Sequence, residues 1–290
     1  MNYKEQYNFY FNLFEKNLLE AFDSLNESAP STIKDAMKYA VLDGGKRIRP
    51  VLCLAAADML DVSFEKVKEF TVALECIHSY SLVHDDLPAM DNDDYRRGKL
   101  STHKKFGEAN GILAGDALLN FAFEYCLSKK DFNSFDAKAL KILGEFAGYS
   151  GMIAGQVLDL QCENETPSVD MLYNIYKNKT AKLITAPLLI ASHISGGKYY
   201  DELYEYGYNL GVLFQIIDDI MDVECTLEDI GKTPNKDSAA GKLTSVSVFG
   251  LNGAKELAKK HYDLCKNIIE KIPNSEFLQM LTDEMFVRRK

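Results

Sequence analysis

Residues 82–94 read LVHDDLPAMDNDD. Asp85, Asp86, Asp91, Asp93 and Asp94 fall within ten positions, directly after an apolar stretch, and Arg96 and Arg97 follow at once. A second acidic group lies far downstream in LFQIIDDIMDVE, with Asp218, Asp219 and Asp222. On a helix Asp218 and Asp222 share one face, where like charges repel. Their flanks are apolar, so the helix is expected to be buried, and buried carboxylates are expensive unless something positive offsets them. A solvated charge run accounts for Asp93 and Asp94. It accounts poorly for Asp85, Asp86, Asp218 and Asp219, whose neighbours are apolar. A calcium loop counted from Asp91 would put Arg96 where the turn glycine belongs and Thr102 where the bidentate glutamate belongs, so that reading fails. Carboxylates without His or Cys beside them suit a hard cation. Mg²⁺ fits best, held by a few carboxylates while phosphate oxygens complete its shell.

The basic residues then acquire a use. Gly44-Gly45-Lys46-Arg47, with Arg49, forms a glycine-containing turn; Arg96 and Arg97 follow the first acidic group. Lys179 and Thr180 sit within a helical pattern, and Lys232, Lys236 and Lys242 follow the second acidic group. Arginine grips phosphate bidentately and lysine acts as a point charge. Singly, each is more often a surface charge than a ligand; their adjacency to the aspartates is what raises them. No GxxxxGK[ST] pattern occurs, so a nucleotide is not the obvious owner of those phosphates.

These residues must be positioned by helices. Leu13, Leu18, Ala21, Phe22 and Leu25 give an early amphipathic pattern, and similar periodicity covers 31–43, 50–60, 63–84, 110–129, 136–162, 168–195, 199–223, 251–271 and 275–288. Breaks fall at SAPST (28–32), DGGKRIRP (43–50), SGGK (195–198) and GKTPNKDSAAGK (231–242). Pro50 suits the first turn of a helix. No long stretch alternates in the manner of a strand. The pattern predicts one all-α domain of long helices spanning residues 1–290.

The bulk properties set limits. The chain has 290 residues, 47% of them hydrophobic, enough for one large core. A net charge of −10 argues against nucleic acid as a partner. No run of about 18 apolar residues predicts a membrane span, and the start MNYKEQYNFYFNLFEKN lacks signal-peptide features. Cys53, Cys76, Cys126, Cys162, Cys225 and Cys265 are scattered without metal-ligand spacing, and read as reduced thiols of a cytoplasmic protein.

The ordered set of DDLPAMD (85–91), DDIMD (218–222), GGKRIRP (44–50), RRG (96–98), KT (179–180) and GKTPNKD (231–237) resembles the short-chain prenyl diphosphate synthases, and most closely the bacterial farnesyl diphosphate synthases. GDALL (115–119), GQVLDL (155–160) and FQIIDD (214–219) extend the match from about residue 40 to the C-terminus. Any one motif is weak; the ordered set is specific. The resemblance implies an all-α bundle around a deep cavity, a homodimer, and three Mg²⁺ ions (Mn²⁺ as a possible substitute) bound around an allylic diphosphate. By motif it implies Asp85, Asp91 and Asp218 as direct metal ligands, with Asp86, Asp219 and Asp222 as ligands or supports behind them. Arg96, Lys179, Thr180, Gln215, Lys232 and Lys242 match the allylic site, among which Lys179, Thr180, Gln215 and Lys232 carry the catalytic assignment. Lys46, Arg49, His78 and Arg97 match the isopentenyl diphosphate site. The implied chemistry is ionisation of the allylic C–O bond, attack by the double bond of isopentenyl diphosphate, and proton loss to diphosphate. His84 needs only a structural role.

The hydrocarbon tail should run down beside the helix that precedes Asp85. Ser81 and Tyr80 lie four and five residues back, about 6–7.5 Å at the helical rise. On a helical wheel Ser81 is about 40° from Asp85 and Tyr80 about 140°. The family resemblance makes an aromatic at Tyr80, with the Pro-Ala pair inside DDLPAMD, a stop at C15; C20 is the alternative. Some positions depart from the family pattern. Asn235 stands where glycine is common, TSVSVF (244–249) lacks a proline, and Glu284 replaces a frequent tyrosine, while Arg288 and Arg289 are retained. A terpene cyclase would have little use for Lys46, Arg49 and Arg97 together, and a non-catalytic modulatory subunit would tend to lose one acidic motif.

Overall fold

The computed structural model describes residues 1–42, 44–162, 168–224 and 241–288. Helices dominate. In chain order they are α1 (Tyr3–Asp23), α2 (Ser31–Leu42), α3 (Ile48–Met59), α4 (Lys68–Asp85), α5 (Thr102–Phe106), α6 (Glu108–Leu127), α7 (Ser134–Ala147), α8 (Met152–Gln161), α9 (Val169–Ile175), α10 (Lys182–Ile194), α11 (Tyr200–Glu224), α12 (Ser245–Ile269) and α13 (Glu276–Phe286). The all-α expectation holds. Pro50 does lie in the first turn of α3. Among the described residues, no helix is long and apolar enough to cross a membrane. Cys53, Cys76, Cys126, Cys162 and Cys265 are buried.

The packing follows from where the apolar residues lie. Helix α4 is apolar nearly all round, and most of its residues are buried, from Phe70 through Val83. It packs against α6 and α3, and the largest cluster gathers around it: Tyr10, Phe14, Phe22, Leu52, Phe70, Ile77 and Leu118. A second cluster joins Ile175 and Tyr176 to Ile216, Ile220 and Ala254. Helix α11 threads both: Leu203 and Leu210 belong to the first, and Leu213, Ile216 and Met221 to the second. The two acidic segments therefore end or ride on the two most buried long helices.

Four local features depart from the periodicity. The segment 136–162 is two helices, because the chain breaks at Gly148–Gly151. Between α9 and α10 the chain forms a π-helical turn, Tyr176–Ala181, which carries Lys179 and Thr180. Such wide turns concentrate at functional positions. Residues 95–100 form a short hairpin, β1 (Tyr95–Arg96) paired antiparallel with β2 (Lys99–Leu100), Arg96 opposite Lys99. Arg97 and Gly98 between them have φ of 53° and 76°, the left-handed pair that a tight hairpin turn requires. Helix α12 is kinked at Gly250, where φ is 70°.

The π-turn is gripped by glycines from two sides. A Cβ on Gly155 of α8 would collide with the backbone N and Cα of Lys179, and a Cβ on Gly211 of α11 with Cα of Ala181. Both obstacles are backbone, which cannot rotate away. Gly155→Ala should lower stability by about 3 kcal/mol, the upper range for overpacking, seen as a lower urea midpoint. An unchanged midpoint would mean that α8 and the π-turn separate freely.

Candidate active site

The end of α4 carries the first acidic group. Asp86 is buried, and its carboxylate receives Arg96 in fork fashion: Nε donates to Oδ1 and Oδ2 at 2.8 Å each, and Nη2 donates to Oδ1 at 2.6 Å. This pair pins the hairpin to the helix. Among the described residues no hydrogen bond or ion pair reaches the Asp85 carboxyl. Burial pushes it up to about 6; Lys179, Arg96 and Lys242 pull the other way, and Asp91 adds to the rise. Asp91 accepts from Lys242 Nζ at 3.2 Å. Lys242 follows the second acidic group in sequence, so one ion pair ties the surroundings of the two groups together.

In the second group the three aspartates diverge. Asp218 pairs with Arg288 Nη1 at 3.1 Å, and its charge acts on Lys46 and Arg49. Asp219 is buried and committed to protein donors. Its Oδ2 accepts from Tyr176 Oη, from the Ser245 amide at 2.7 Å and from Ser245 Oγ at 3.0 Å. Its Oδ1 accepts from Gln215 Nε2 at 3.1 Å. Burial pushes Asp219 up to about 7 despite those bonds. Thr180 Oγ1 donates to Gln215 Oε1 at 2.7 Å, completing a chain from the π-turn through Gln215 to Asp219 and the start of α12. Asp222 is buried on the same helix.

Lys179 Nζ donates to Asp159 Oδ2. Asp159 belongs to GQVLDL, a motif of the resemblance in which it was given no role; a lone carboxylate in an apolar run was the usable signal. Tyr176 was missed, and nothing in its spacing separates it from ordinary core tyrosines. A cavity of about 80 Å³ opens among Asp159, Lys179, Gln215, Asp219 and Lys242.

The other basic residues converge nearby. Arg49 is drawn down by burial to about 10, while Glu75 and Asp218 oppose the fall. Burial, then Arg49, Arg97, Arg96 and Arg47, hold the His78 imidazole well below its ordinary value and so neutral. Arg97 Nη1 donates to Gly44 O, joining the hairpin to the GGKR turn. Arg47, counted from sequence among the phosphate-grasping residues, instead points inward to Glu15 and Glu75. Lys232 and Asn235 lie outside the described residues. Tyr80 is buried, edge-on to His84, with its hydroxyl unpartnered among the described residues. Asp85 contributes to raising the Tyr80 phenol, so the wheel offset does not take Tyr80 out of reach of that aspartate. Ser81 Oγ turns back to donate to His78 O at 2.9 Å.

The polyprenyl synthetase profile matches residues 30–282. The chain belongs to the polyprenyl synthetase family. It is 42% identical over 265 residues to a farnesyl diphosphate synthase of Micrococcus luteus, covering 89% of this chain and 90% of that one. It is 41% identical over 240 residues to the large subunit 1 of a heterodimeric chloroplastic geranylgeranyl pyrophosphate synthase of Arabidopsis thaliana, covering 80% and 65%. Its fold superposes with a TM-score of 0.84, at 33% identity over 97% of each chain, on a geranyltransferase of Helicobacter pylori crystallised with magnesium and isoprenyl diphosphate. The protein is a prenyltransferase of a family that uses divalent metal.

The donor set fits such a metal. Asp85, Asp91 and Asp218 offer oxygen alone, at sites already lined by cations that suit a polyanion. Among the described residues no three His, Cys, Asp or Glu side chains come together as a ready-made metal group, so an ion there would take few protein ligands and complete its shell with water or phosphate oxygens.

The Asp85 shift has a consequence for chelated protein. Its carboxyl keeps its proton to about 6 when folded, against 3.8 for the ordinary group. The native state then binds more protons than the unfolded one, so this group weakens the fold as pH rises from about 4 to about 6. Asp85→Asn cannot ionise. In EDTA it should match the wild type near pH 4 and melt about 2–4 °C higher at pH 7.5. A melting difference that does not vary with pH would show that Asp85 ionises as an ordinary carboxylate.

Proposed function

We propose that the protein condenses isopentenyl diphosphate head to tail with dimethylallyl or geranyl diphosphate and releases diphosphate, with farnesyl diphosphate as the product. The observation that carries this reading is the convergence of two separate groups of basic residues on the acidic segments. Lys179, Arg96 and Lys242 surround Asp85 and Asp91. Lys46, Arg49, His78 and Arg97 gather beside Asp218 and the GGKR turn. Two polyanion sites side by side are what joining two diphosphates demands, and a cyclase would leave the second without a ligand.

Asp85, Asp91 and Asp218 would hold the metal, three Mg²⁺ ions with Mn²⁺ as a substitute, and Asp222 supports them from α11. Asp86 and Asp219 act one layer back, orienting Arg96 and Gln215. The bound ions supply charge neutralisation for the departing diphosphate. Around them Arg96, Lys179 and Lys242, with Lys232, bind the allylic diphosphate and stabilise negative charge as it builds on the leaving oxygen. Asp159 keeps the Lys179 ammonium aimed. Lys46, Arg49 and Arg97 bind the isopentenyl diphosphate, and His78, held neutral, donates a hydrogen bond to it. Its double bond then attacks the allylic carbon, and the proton lost from the product passes to the released diphosphate. Thr180 and Gln215 form a fixed polar wall that does not move as charge shifts.

The chain acts as a cytosolic homodimer in this reading, and Ile112 and Leu113, 47% and 54% exposed on α6, supply an apolar face for a second copy.

The direct test incubates the protein with isopentenyl diphosphate and geranyl diphosphate, with and without Mg²⁺, and follows diphosphate release and product length. Metal-dependent formation of a C15 product is expected. Asp85→Ala and Asp218→Ala should each cut turnover by about 10²-fold or more; near-wild-type turnover in either removes that residue from the metal site. Tyr80→Ala should lengthen the product beyond C15, read by chromatography. Unchanged C15 would leave Tyr80 as ordinary core.

A further inference from the structure

The turn that presents Lys46 and Arg49 is built around a residue that the proposed reaction does not use. Arg47 has φ 51° and ψ 34°, a left-handed conformation that a non-glycine residue adopts only when its surroundings enforce it. Its side chain is fully buried. Nε donates to Glu15 Oε1 at 2.7 Å, Nη1 to Glu75 Oε1 at 2.8 Å and Nη2 to Val41 O at 2.8 Å, while the guanidinium lies 5.8 Å from the Phe14 ring centre. Three elements are tied to one planar group: α1 through Glu15, α4 through Glu75 and the end of α2 through Val41.

That group governs its neighbours in sequence. Arg47 caps the N-terminus of α3, so its left-handed turn sets how Lys46 leaves the helix and how Arg49, in the first turn, enters it. Glu75 serves twice, since its charge also acts on Arg49. It lies three residues before His78 on α4 and so shares a face with it. Helix α1 adds a second hold, because Tyr7 Oη donates to the Lys46 carbonyl. Residues 1–29 precede the stretch matched by the family profile, so α1 reaches the turn from outside that stretch.

We infer that Arg47, clamped between Glu15 and Glu75, is the positioning residue of the isopentenyl diphosphate site, and that helix α1, through Glu15 and Tyr7, sets the affinity of that site. The inference rests on the reading of Lys46 and Arg49 as ligands of that diphosphate. It predicts a selective effect: disturbing the clamp moves one substrate's charges and leaves the metal-bound allylic diphosphate in place.

The experiment measures KM for each substrate, and Kd for isopentenyl diphosphate alone by calorimetry, in wild type, Arg47→Lys, Glu75→Gln, Glu15→Gln and Tyr7→Phe. Lysine keeps the charge but cannot span both carboxylates and the carbonyl. Arg47→Lys and Glu75→Gln should raise KM and Kd for isopentenyl diphosphate roughly tenfold, the size of one misplaced charged hydrogen bond. Tyr7→Phe and Glu15→Gln should raise them about threefold, since each removes one contact at a partly exposed position. The allylic KM should stay within about twofold in all four. Where the buried substitutions prevent folding, Tyr7→Phe and Glu15→Gln carry the test. Folded variants in which both KM values move together, or neither moves, overturn the inference while the reading of the site stands. A wild type that neither binds nor turns over isopentenyl diphosphate overturns both.

Discussion

The whole arrangement depends on carboxylates held at the ends and along the faces of apolar helices. A buried carboxylate must be neutralised, protonated or offset. Asp86, Asp159 and Asp219 meet this demand with protein donors: Arg96, Lys179, and the Tyr176–Ser245–Gln215 group. Those bonds also fix where the cations and the polar wall stand. The hairpin is pinned because Arg96 must reach Asp86, and α12 begins where it does because the Ser245 amide and hydroxyl both reach Asp219. The same electrostatic demand therefore produces the local structure and the shape of the site.

Much of this was legible in the sequence because the acidic motifs stand beside apolar periodicity, and because an ordered set of short motifs is hard to obtain by chance. The helix pattern marks α4 and α11, and the motif resemblance groups Lys46, Arg49, His78 and Arg97. What escaped the sequence escaped for physical reasons. The hairpin has strands of two residues, too short for alternation to register; only Arg97-Gly98 hinted at its turn. The π-turn is only six residues long with helix on both sides, so the phase shift it introduces is too local to register and Tyr176–Ala181 reads as continuous helix. Arg47 looks like its neighbours in a basic string, and only its partners, Glu15 and Glu75, reveal that it faces inward. Those partners lie 32 and 28 residues away, beyond what local spacing can show.

The π-turn also shows how backbone contact substitutes for side-chain packing. Gly155 and Gly211 let α8 and α11 approach the chain at Lys179 and Ala181 more closely than any side chain would allow. A polar turn carrying Lys179 and Thr180 gains rigidity from close main-chain contact rather than from apolar bulk, so its polar groups can remain directed at the cavity.

The two adjacent aspartate pairs, Asp85-Asp86 and Asp218-Asp219, divide their work in the same way. Neighbouring helical residues point about 100° apart, so one of each pair cannot share the other's environment. Asp86 and Asp219 are nearly inaccessible, and both oxygens of each accept protein donors. Asp85 and Asp218 are more exposed and lie among long-stemmed cations: Lys179 and Lys242 near the first, Arg288 and Lys46 near the second. Under the proposed function, a lysine or arginine on a long stem yields its place to a metal–diphosphate complex at little cost. A buried fork with Arg96, or four donors converging on Asp219, does not. The second aspartate of each pair thus holds the framework still, and under the proposed function it is the first that exchanges partners.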